Sequence, residues 1–432
     1  MLDIQYIRDN PDVVKQKSQQ KGYKVDIAKL LKLDEERRNL LVDIEALRAA
    51  RNEHAAALKA GKPTEAQIEH GKELKERLLV LEQKLDPIEH DFLQLLKAVP
   101  NMPTDDVPVG ASEDDNKIVK TVGKLPQTDF KPLSDAELGL KNDTIDKERA
   151  AKVAGARFAY LKGDVVRLQF AIIQFVLTTL GDQTFIESLI NEHKLNLDPT
   201  PFTPILPPAL IKTKPYEASA RLDAEEVTYK LAEDELWLNA SAEHSLCTMY
   251  MDEVFEEAQL PIRYIGYATS FRREAGSYGK DTEGIFRMHQ FDKLEMEVFS
   301  TPETGYDEHK LLVAIQEYLV QQLELPYQLI QKCTADIGKP NAQGIDINIW
   351  MPAQAAYRET HSADYITDYQ ARRLRTRVKR KSGAMDFVHT NDATAFALGR
   401  TLKAILENYQ TKEGAVVVPK ALQPFMGGKE QV

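Results

Sequence analysis

The chain has 432 residues, 43% hydrophobic and 28% charged, with a formal net charge of -11. That composition excludes overall disorder and supplies enough apolar chain for two or three domains; the acidic balance argues against nucleic-acid binding by bulk charge but leaves a local basic surface open. Two cysteines, Cys247 and Cys333, exclude a disulfide scaffold and a cysteine-rich zinc site. With no basic-then-apolar leader and no apolar run of about 18 residues, a cytoplasmic protein without a membrane segment is expected.

From Ile27 to Val99 the texture is helical. Leu30, Leu33, Leu40, Ile44, Leu47 and Leu58 recur at three- and four-residue steps, with Arg37, Arg51 and His54 at the remaining seam positions. A second seam runs Leu74, Leu78, Leu81, Leu85, Ile88, Phe92, Leu95, Val99. Sustained periodicity near 3.5 with charges between the seam positions predicts a coiled coil. Gly61-Lys62-Pro63 breaks the first helix and Thr64 can cap the second, so the two fold back as an antiparallel hairpin, roughly 50 Å long at 1.5 Å of rise per residue. Pro87 is expected to kink the second helix. By periodicity alone such a hairpin is a spacer or a dimerisation device.

Pro100, Pro103 and Pro108, with the acidic run Glu113-Asp114-Asp115, mark a linker, which predicts two domains, 1–108 and 109–432. Beyond it, short β-rich runs are read at 227–229, 236–238, 263–265 and 345–350. Helices are read over 164–180, 309–323 and 394–410. The strands pair as hairpins rather than alternate with helices, which predicts an α+β body: an antiparallel sheet flanked by helices. No glycine-rich phosphate loop occurs, so an ATP site here must be built otherwise.

The segment 271–297 is dense in functional residue types: Arg272, Arg273, Glu274, Lys280, Asp281, Arg287, His289, Lys293 and Glu295, with Gly276, Gly279 and Gly284 in a predicted hairpin loop. Guanidinium forks beside a flexible loop suit a phosphate or carboxylate, and a solvated, salt-bridged hairpin has the same composition. A second cluster is Tyr357-Arg358-Glu359-Thr360-His361-Ser362, where Glu359 and Ser362 offer oxygen ligands for Mg²⁺. Arg373, Arg375, Arg377, Lys379 and Lys381 alternate with apolar or neutral residues and read as a strand with one basic face. A third cluster, His389 to Thr394, leads into the predicted helix that carries Arg400, and that helix's N-terminus and Arg400 can face one ligand.

These residues carry a resemblance that covers essentially the whole chain. The sequence resembles the bacterial-type seryl-tRNA synthetases, class II aminoacyl-tRNA synthetases. Leu2-Asp3-Ile4, Asp9-Asn10-Pro11, the two-helix arm and Pro100-Asn101-Met102-Pro103 match that family. Phe271-Arg272-Arg273-Glu274 and Met288-His289-Gln290-Phe291 match its motif 2. Asp368 to Arg373 matches a further run, and Ala397 to Arg400 with Glu407 to Gln410 matches motif 3. Pro207-Pro208 resembles the motif 1 proline, which lies at the family's dimer interface, so a homodimer is implied.

The resemblance implies that serine is activated by ATP to seryl-adenylate and passed to the 3′ end of tRNA(Ser), with tRNA(Sec) left open as a second acceptor and neither DNA nor a membrane as partner. Arg272 and Arg400 would be catalytic. ATP would be held by Arg272, Arg273, Glu274, Met288, His289, Gln290, Phe291, Glu359, Thr360, His361, Ser362 and Arg400, with Phe291 stacking on adenine and Glu274 accepting from its amino group. Mg²⁺ would sit on Glu359 and Ser362. Serine would be bound by Ser241, Ala242, Glu243, Arg272, Glu295 and Thr394. The arm would contact tRNA through basic positions such as Arg48, Arg51, Lys72, Lys75 and Arg77.

Departures from the family pattern gather around the amino-acid pocket. Ser241 stands for threonine and Thr394 for serine. His361, Ala363, Asp364 and Tyr365 replace Ser-Cys-Ser-Asn; Asp392 to Ala395 replace Asn-Gly-Ser-Gly. Glu217 to Ala220 occupy the place of Gly-Thr-Gly-Gln, and Asn348 stands where an acidic residue is usual. Two other readings compete: a paralogue that loads a small amino acid onto a non-tRNA acceptor, and a catalytically silent RNA-binding homologue.

Overall fold

The computed structural model describes residues 1–58, 64–222, 228–274 and 283–432. Gly61, Lys62, Pro63, Val227, Gly276, Gly279, Lys280 and Asp281, singled out above, lie outside the described residues. The chain forms two units, Met1–Met102 and Pro103–Val432.

In the first unit, helices α1 (Ile4–Asp9) and α2 (Pro11–Gln20) precede two long helices, α3 (Ile27–Leu58) and α4 (Glu65–Ala98). Arg8 of α1 meets the buried Asp34 of α3 at 2.7 Å. Arg37 pairs with Glu89, Arg48 with Glu82, and the ring of His54 packs on His70. Since one number rises as the other falls, α3 and α4 run antiparallel. Ile44, Leu47, Leu74, Leu78 and Leu85 form the buried seam. Arg37 joins it through its guanidinium, 5.0 Å from the Phe92 ring centroid. Thr64 caps α4 in a capping box with Gln67, and the helix continues through Pro87. All five basic positions expected to face RNA are exposed; Arg48 also pairs with Glu45 and Glu82, and Lys72 with Glu69.

The second unit is built on an eight-stranded sheet: β1 (Lys117–Val122), β2 (Thr203–Ile205), β3 (Ile262–Phe271), β4 (Gln290–Ser300), β5 (Tyr327–Gln331), β6 (Gln343–Met351), β7 (Ala356–Thr367) and β8 (His389–Ala397). Their spatial order is β1-β5-β6-β7-β8-β4-β3-β2, antiparallel except for the β2–β3 pair. Helices α5 (Asp164–Leu180), α6 (Gly305–Gln322), α7 (Tyr369–Leu374) and α8 (Leu398–Asn408) complete the frame. Alternate residues of the central strands (Ala363, Ala393, Met296) join Leu311, Ile315, Leu319 and Leu402 in one apolar core. The residues between them, on the opposite face, build the site.

Four local expectations are corrected. The helix read over 394–410 begins at Leu398, because His389–Ala397 is a central strand paired with both β7 and β4; sheet pairing overrides the helical preference of its alanines. Thr394 is thus a strand residue, and Arg400 sits in the first turn of α8. The basic face read from Arg373 to Lys381 is divided: Arg373 is in α7, Arg375 ends it at φ 57°, and only Arg377–Lys379 is a strand. Thr228 and Tyr229 are not in a strand, and the helix read from His309 starts at Gly305.

Candidate active site

Strand register lays out the site as a grid. Ser362 and Asp364 on β7 point to the same face as Thr394 and Asp392 on β8 and Glu295 and Glu297 on β4, because Asp364 pairs with Asp392, Asp392 with Glu297, and Thr394 with Glu295. A bulge at Thr360 sets Glu359 opposite Asn348 but His361 opposite Ile347. That extra residue brings Glu359 onto the face of Ser362; strict alternation would put residues three apart on opposite faces. A second irregularity between Thr394 and Phe396 pairs Lys293 with Ala397 and leaves Ala395 as the extra residue.

Two segments close over this grid. The helix Ala242–Leu246 approaches β3 at Gly266, where a Cβ would come within 2.8 Å of the Leu246 side chain. Segment 283–288 crosses the start of α8 at Gly399, where a Cβ would meet the Ile285 carbonyl at 2.8 Å. Both glycines are required by the close approach.

The result is a cavity of about 190 Å³ that gathers Arg272, Glu274, Met288, Phe291, Glu359, Thr360, Ser362 and Arg400 with Glu243, Glu295 and Thr394. An open cavity of about 550 Å³ shares Phe286, Arg287, Glu359 and Arg400 with it. Four expected ATP-site residues do not line the first cavity. Arg273 lies 5.9 Å from the Tyr229 ring centroid, and the His289 ring nitrogen Nδ1 is 2.9 Å from the Arg272 carbonyl. Gln290 is exposed at the start of β4. His361 is turned to the core against Phe396, with its ring 5.3 Å away. Ser241 and Ala242 are fully buried just behind Glu243.

At one end, cations rest on aromatic faces. The guanidinium of Arg272 lies 5.3 Å from the Phe291 ring centroid and donates to the Ala240 carbonyl at 3.1 Å. Arg358 and Arg400 approach the Phe286 ring at 4.8 and 4.9 Å. Arg400 also donates to Glu359 Oε1 at 3.0 Å, and Arg287 to Glu274 Oε2 at 3.2 Å. Burial opposes ionisation of Glu359, but Arg400 and Lys332 hold its carboxyl down to about 2.

At the other end, acids dominate. Lys293 Nζ is 2.5 Å from Glu295 Oε2, Thr394 Oγ1 donates to Glu295 Oε1 at 3.4 Å, and Ser241 Oγ lies 3.4 Å from Glu243, Glu295 and Lys293. Burial pushes Glu295 up to about 7, with the carboxylate of Glu243 acting in the same sense. Glu243 is held well below the ordinary range despite its burial, by Arg221 and then by His244 and Lys293. Burial and neighbouring carboxylates raise Asp392 and Glu297 well above it.

Glu359 and Ser362 offer oxygens suited to Mg²⁺, with Asp346 opposite Ser362; one oxygen of Asp346 is buried without a hydrogen-bond partner among the described residues, and the other lies 3.5 Å from Lys332 Nζ. Glu243, Glu295 and Asp392 also bring carboxylate oxygens within 4.8 Å of one another. There Lys293 pairs with Glu295, and Arg221 with Glu243 and Asp392.

Sequence reasoning missed Arg221, Phe286 and Asp346. Lys293 was singled out by its type, and Glu297 was within reach, since the alternation through Phe291, Lys293, Glu295 and Glu297 places all four on one face of a strand.

Residues 1–103 match the family described as the seryl-tRNA synthetase N-terminal domain, and residues 227–409 match the tRNA synthetase class II core domain (G, H, P, S and T). The chain is 38% identical over its full length to the full-length serine–tRNA ligase of Syntrophotalea carbinolica, and 36% identical, again over the whole of both chains, to that of Nitrosopumilus maritimus. The chain belongs to the seryl-tRNA synthetase family.

Solved structures agree. The Pyrococcus horikoshii seryl-tRNA synthetase complexed with ATP superposes with a TM-score of 0.87 at 34% identity, covering 100% of this chain and 99% of that one. The cytoplasmic serine–tRNA ligase of Naegleria fowleri, in complex with AMP, gives 0.82 at 28% identity, covering 99% and 96%. As a member of this seryl-tRNA synthetase family, the chain is a class II aminoacyl-tRNA synthetase, a serine–tRNA ligase that binds ATP. Neither the non-tRNA paralogue nor the silent RNA-binding homologue is supported. Among the described residues no single helix is long and apolar enough to cross a membrane.

Proposed function

We propose that the two ends of the cavity divide the ligation between them. The observation that carries this is the convergence of Arg272, Glu274, Phe291, Glu359 and Arg400 with Glu243, Glu295 and Thr394 in one cavity. Arg272 stands between the ends and bridges the serine carboxylate and the α-phosphate, neutralising charge that grows as the carboxylate attacks phosphorus. Phe291 stacks on adenine and Glu274 accepts from its amino group. Arg400 grips the γ-phosphate. Glu243 receives the α-ammonium group, and Glu295, set by Lys293 and Thr394, accepts from the serine hydroxyl. A site built to bond a hydroxyl rejects alanine and glycine because its buried acceptor would stay unpaired. Mg²⁺ on Glu359 and Ser362 would supply further charge neutralisation for the triphosphate.

The serine end is tested by ATP–pyrophosphate exchange across small amino acids. Serine is expected to support it and threonine, alanine and glycine are not; equal exchange with another of them rejects the assignment. The α3–α4 hairpin is assigned to holding tRNA(Ser) through shape and a few basic positions. Replacing residues 38–88 by a short Gly-Ser link is expected to leave exchange intact and abolish charging, and efficient charging by the shortened enzyme refutes that role. The enzyme is proposed to work in the cytoplasm as a homodimer. Next to edge strand β2, Leu206 is 78% exposed, and Pro208, Ala209 and Leu210 are exposed beside it. An apolar run of this kind at a sheet edge is ordinarily covered. Leu206→Asp is expected to lower the mass in solution from dimer to monomer, and an unchanged mass moves the interface elsewhere.

A further inference from the structure

Three departures from the family pattern lie far apart in sequence and meet at one point in space: Glu217–Ala220, Asp364 and Asp392. The short helix Thr213–Ala218 ends at Ser219. From α7, Gln370 donates to the Ser219 carbonyl at 3.0 Å and Arg373 Nε donates to the Ala218 carbonyl at 3.0 Å. Ala220 then takes φ 62°, a left-handed conformation that costs a non-glycine residue about 1 kcal/mol or more. This braced turn delivers the next side chain, Arg221, to the acidic end of the cavity.

Arg221 Nη2 donates to Asp392 Oδ2 at 2.7 Å and lies 3.8 Å from Asp364 Oδ2. Its Nε is 3.1 Å from Glu243 Oε1 without the alignment of a hydrogen bond, so its hold on Glu243 is through charge. The register explains the need for a cation. Asp364, Asp392 and Glu297 form one cross-strand row, and like charges directly opposite one another destabilise a sheet. Away from water that repulsion is screened little.

We propose that Arg221 is a positioning residue for the amino acid: it neutralises the carboxylate row and fixes Glu243, which receives the substrate's ammonium group. This rests on the assignment of the Glu243–Glu295–Thr394 end to serine. The ion pairs of Arg221 among the described residues are with Glu243, Asp364 and Asp392, none of them assigned to ATP, so its loss is expected to act on amino-acid binding and leave nucleotide binding in place.

The test is ATP–pyrophosphate exchange by the full-length enzyme, titrated separately in serine and in ATP, for wild type, Arg221→Leu, Arg221→Lys and the double variant Arg221→Leu/Asp392→Asn. Arg221→Leu is expected to raise the serine KM about tenfold or more while the ATP KM changes less than about twofold. Arg221→Lys, which keeps the charge, should fall between it and wild type. The double variant should recover part of the loss, because one carboxylate of the row goes with its counter-ion. An unchanged serine KM in Arg221→Leu, an equal rise in both KM values, or no recovery in the double variant overturns the proposal. Should Arg221→Leu lose its cooperative melting transition, Arg221→Lys decides: a rise in the serine KM alone supports the role, and wild-type values overturn it. Failure of wild type to exchange with serine would instead overturn the serine assignment, so the two failures are distinct.

Discussion

The two ends of the cavity solve different electrostatic problems with different materials. At the end proposed for the nucleotide the guanidiniums of Arg272, Arg358 and Arg400 are laid on the rings of Phe291 and Phe286 and are not sealed from water. At the end proposed for the amino acid Glu295, Glu297 and Asp392 are buried on adjacent strands, with Lys293 paired to Glu295 and Arg221 to Asp392. A polyanion can be gripped by cations that stay partly hydrated, because its own charge is large and placed by many contacts. A small zwitterion offers one ammonium and one hydroxyl. Discrimination there needs groups that have already left water, so that an unmade bond is costly. Hence the first end relies on planar stacking and the second on strand register.

The largest effect that can break this contrast is at Arg272, the residue between the two ends. Arg272→Ala is expected to lower exchange by roughly 100- to 1000-fold, the usual consequence of removing one group that stabilises transition-state charge. Exchange within about tenfold of wild type would mean that the α-phosphate charge is neutralised elsewhere.

Glu295 carries the next effect and a pH signature. Burial raises its carboxyl to about 7, above the ordinary value of 4.5. Between those values the folded protein keeps a proton that the unfolded chain has released, so stability falls as pH rises through that window and is level beyond either limit. Glu297, Asp346 and Asp392 are shifted the same way and add to the same slope. Glu295→Gln should therefore flatten part of the loss in Tm between about pH 4.5 and 7. It should also raise the serine KM by about tenfold or more, since the charged acceptor is gone. An identical Tm profile in the variant would show that Glu295 is not the raised group.

The contrast also explains what was legible in the sequence. The hairpin could be read because leucine spacing and the Thr64–Gln67 cap are local signals. Arg272, Glu274, Phe291 and Arg400 could be read because each lies in a compact motif, although that motif did not show that Arg273, His289 and Gln290 point away from the cavity. The amino-acid end depends on pairings between strands some 30 to 100 residues apart, such as Asp364 with Asp392 and Asp392 with Glu297. The bulge at Thr360, which turns Glu359 inward and His361 to the core, leaves no mark in a residue pattern. Arg221 was hidden for the same reason: its partners are set by a braced turn and a distant register. The last part of strand β8, 394–397, was mistaken for helix because its alanines favour helix and only the strand's two neighbours decide otherwise.

A smaller effect sharpens the nucleotide end. Phe286→Leu keeps apolar volume but removes the ring face shared by Arg358 and Arg400. At about 0.5–1 kcal/mol for the contact to Arg400, the cation assigned to the γ-phosphate, the ATP KM should rise about two- to fivefold. The serine KM should stay where it was, and a matching rise in both would show that the ends are coupled through Phe286.

Thr394→Ser should have the smallest effect on serine itself. The hydroxyl of Thr394 donates to Glu295 at 3.4 Å, and serine can supply that donor with the same strand pairing to Glu295. What is lost is one methyl group on a buried wall of the cavity. For serine, kcat/KM should change less than about twofold, because a single methyl outside direct contact contributes little to a bound hydroxyl. Threonine, which carries its own extra methyl, should gain by about tenfold or more in exchange, since a methyl is worth about 1–3 kcal/mol in an apolar slot. If serine lost as much as threonine gained, Thr394 would be ordering Glu295 rather than limiting space. If neither changed, the wall that excludes threonine would lie on the far side of Glu295, toward Ser241 and Lys293, which are 3.4 Å apart across the same carboxylate.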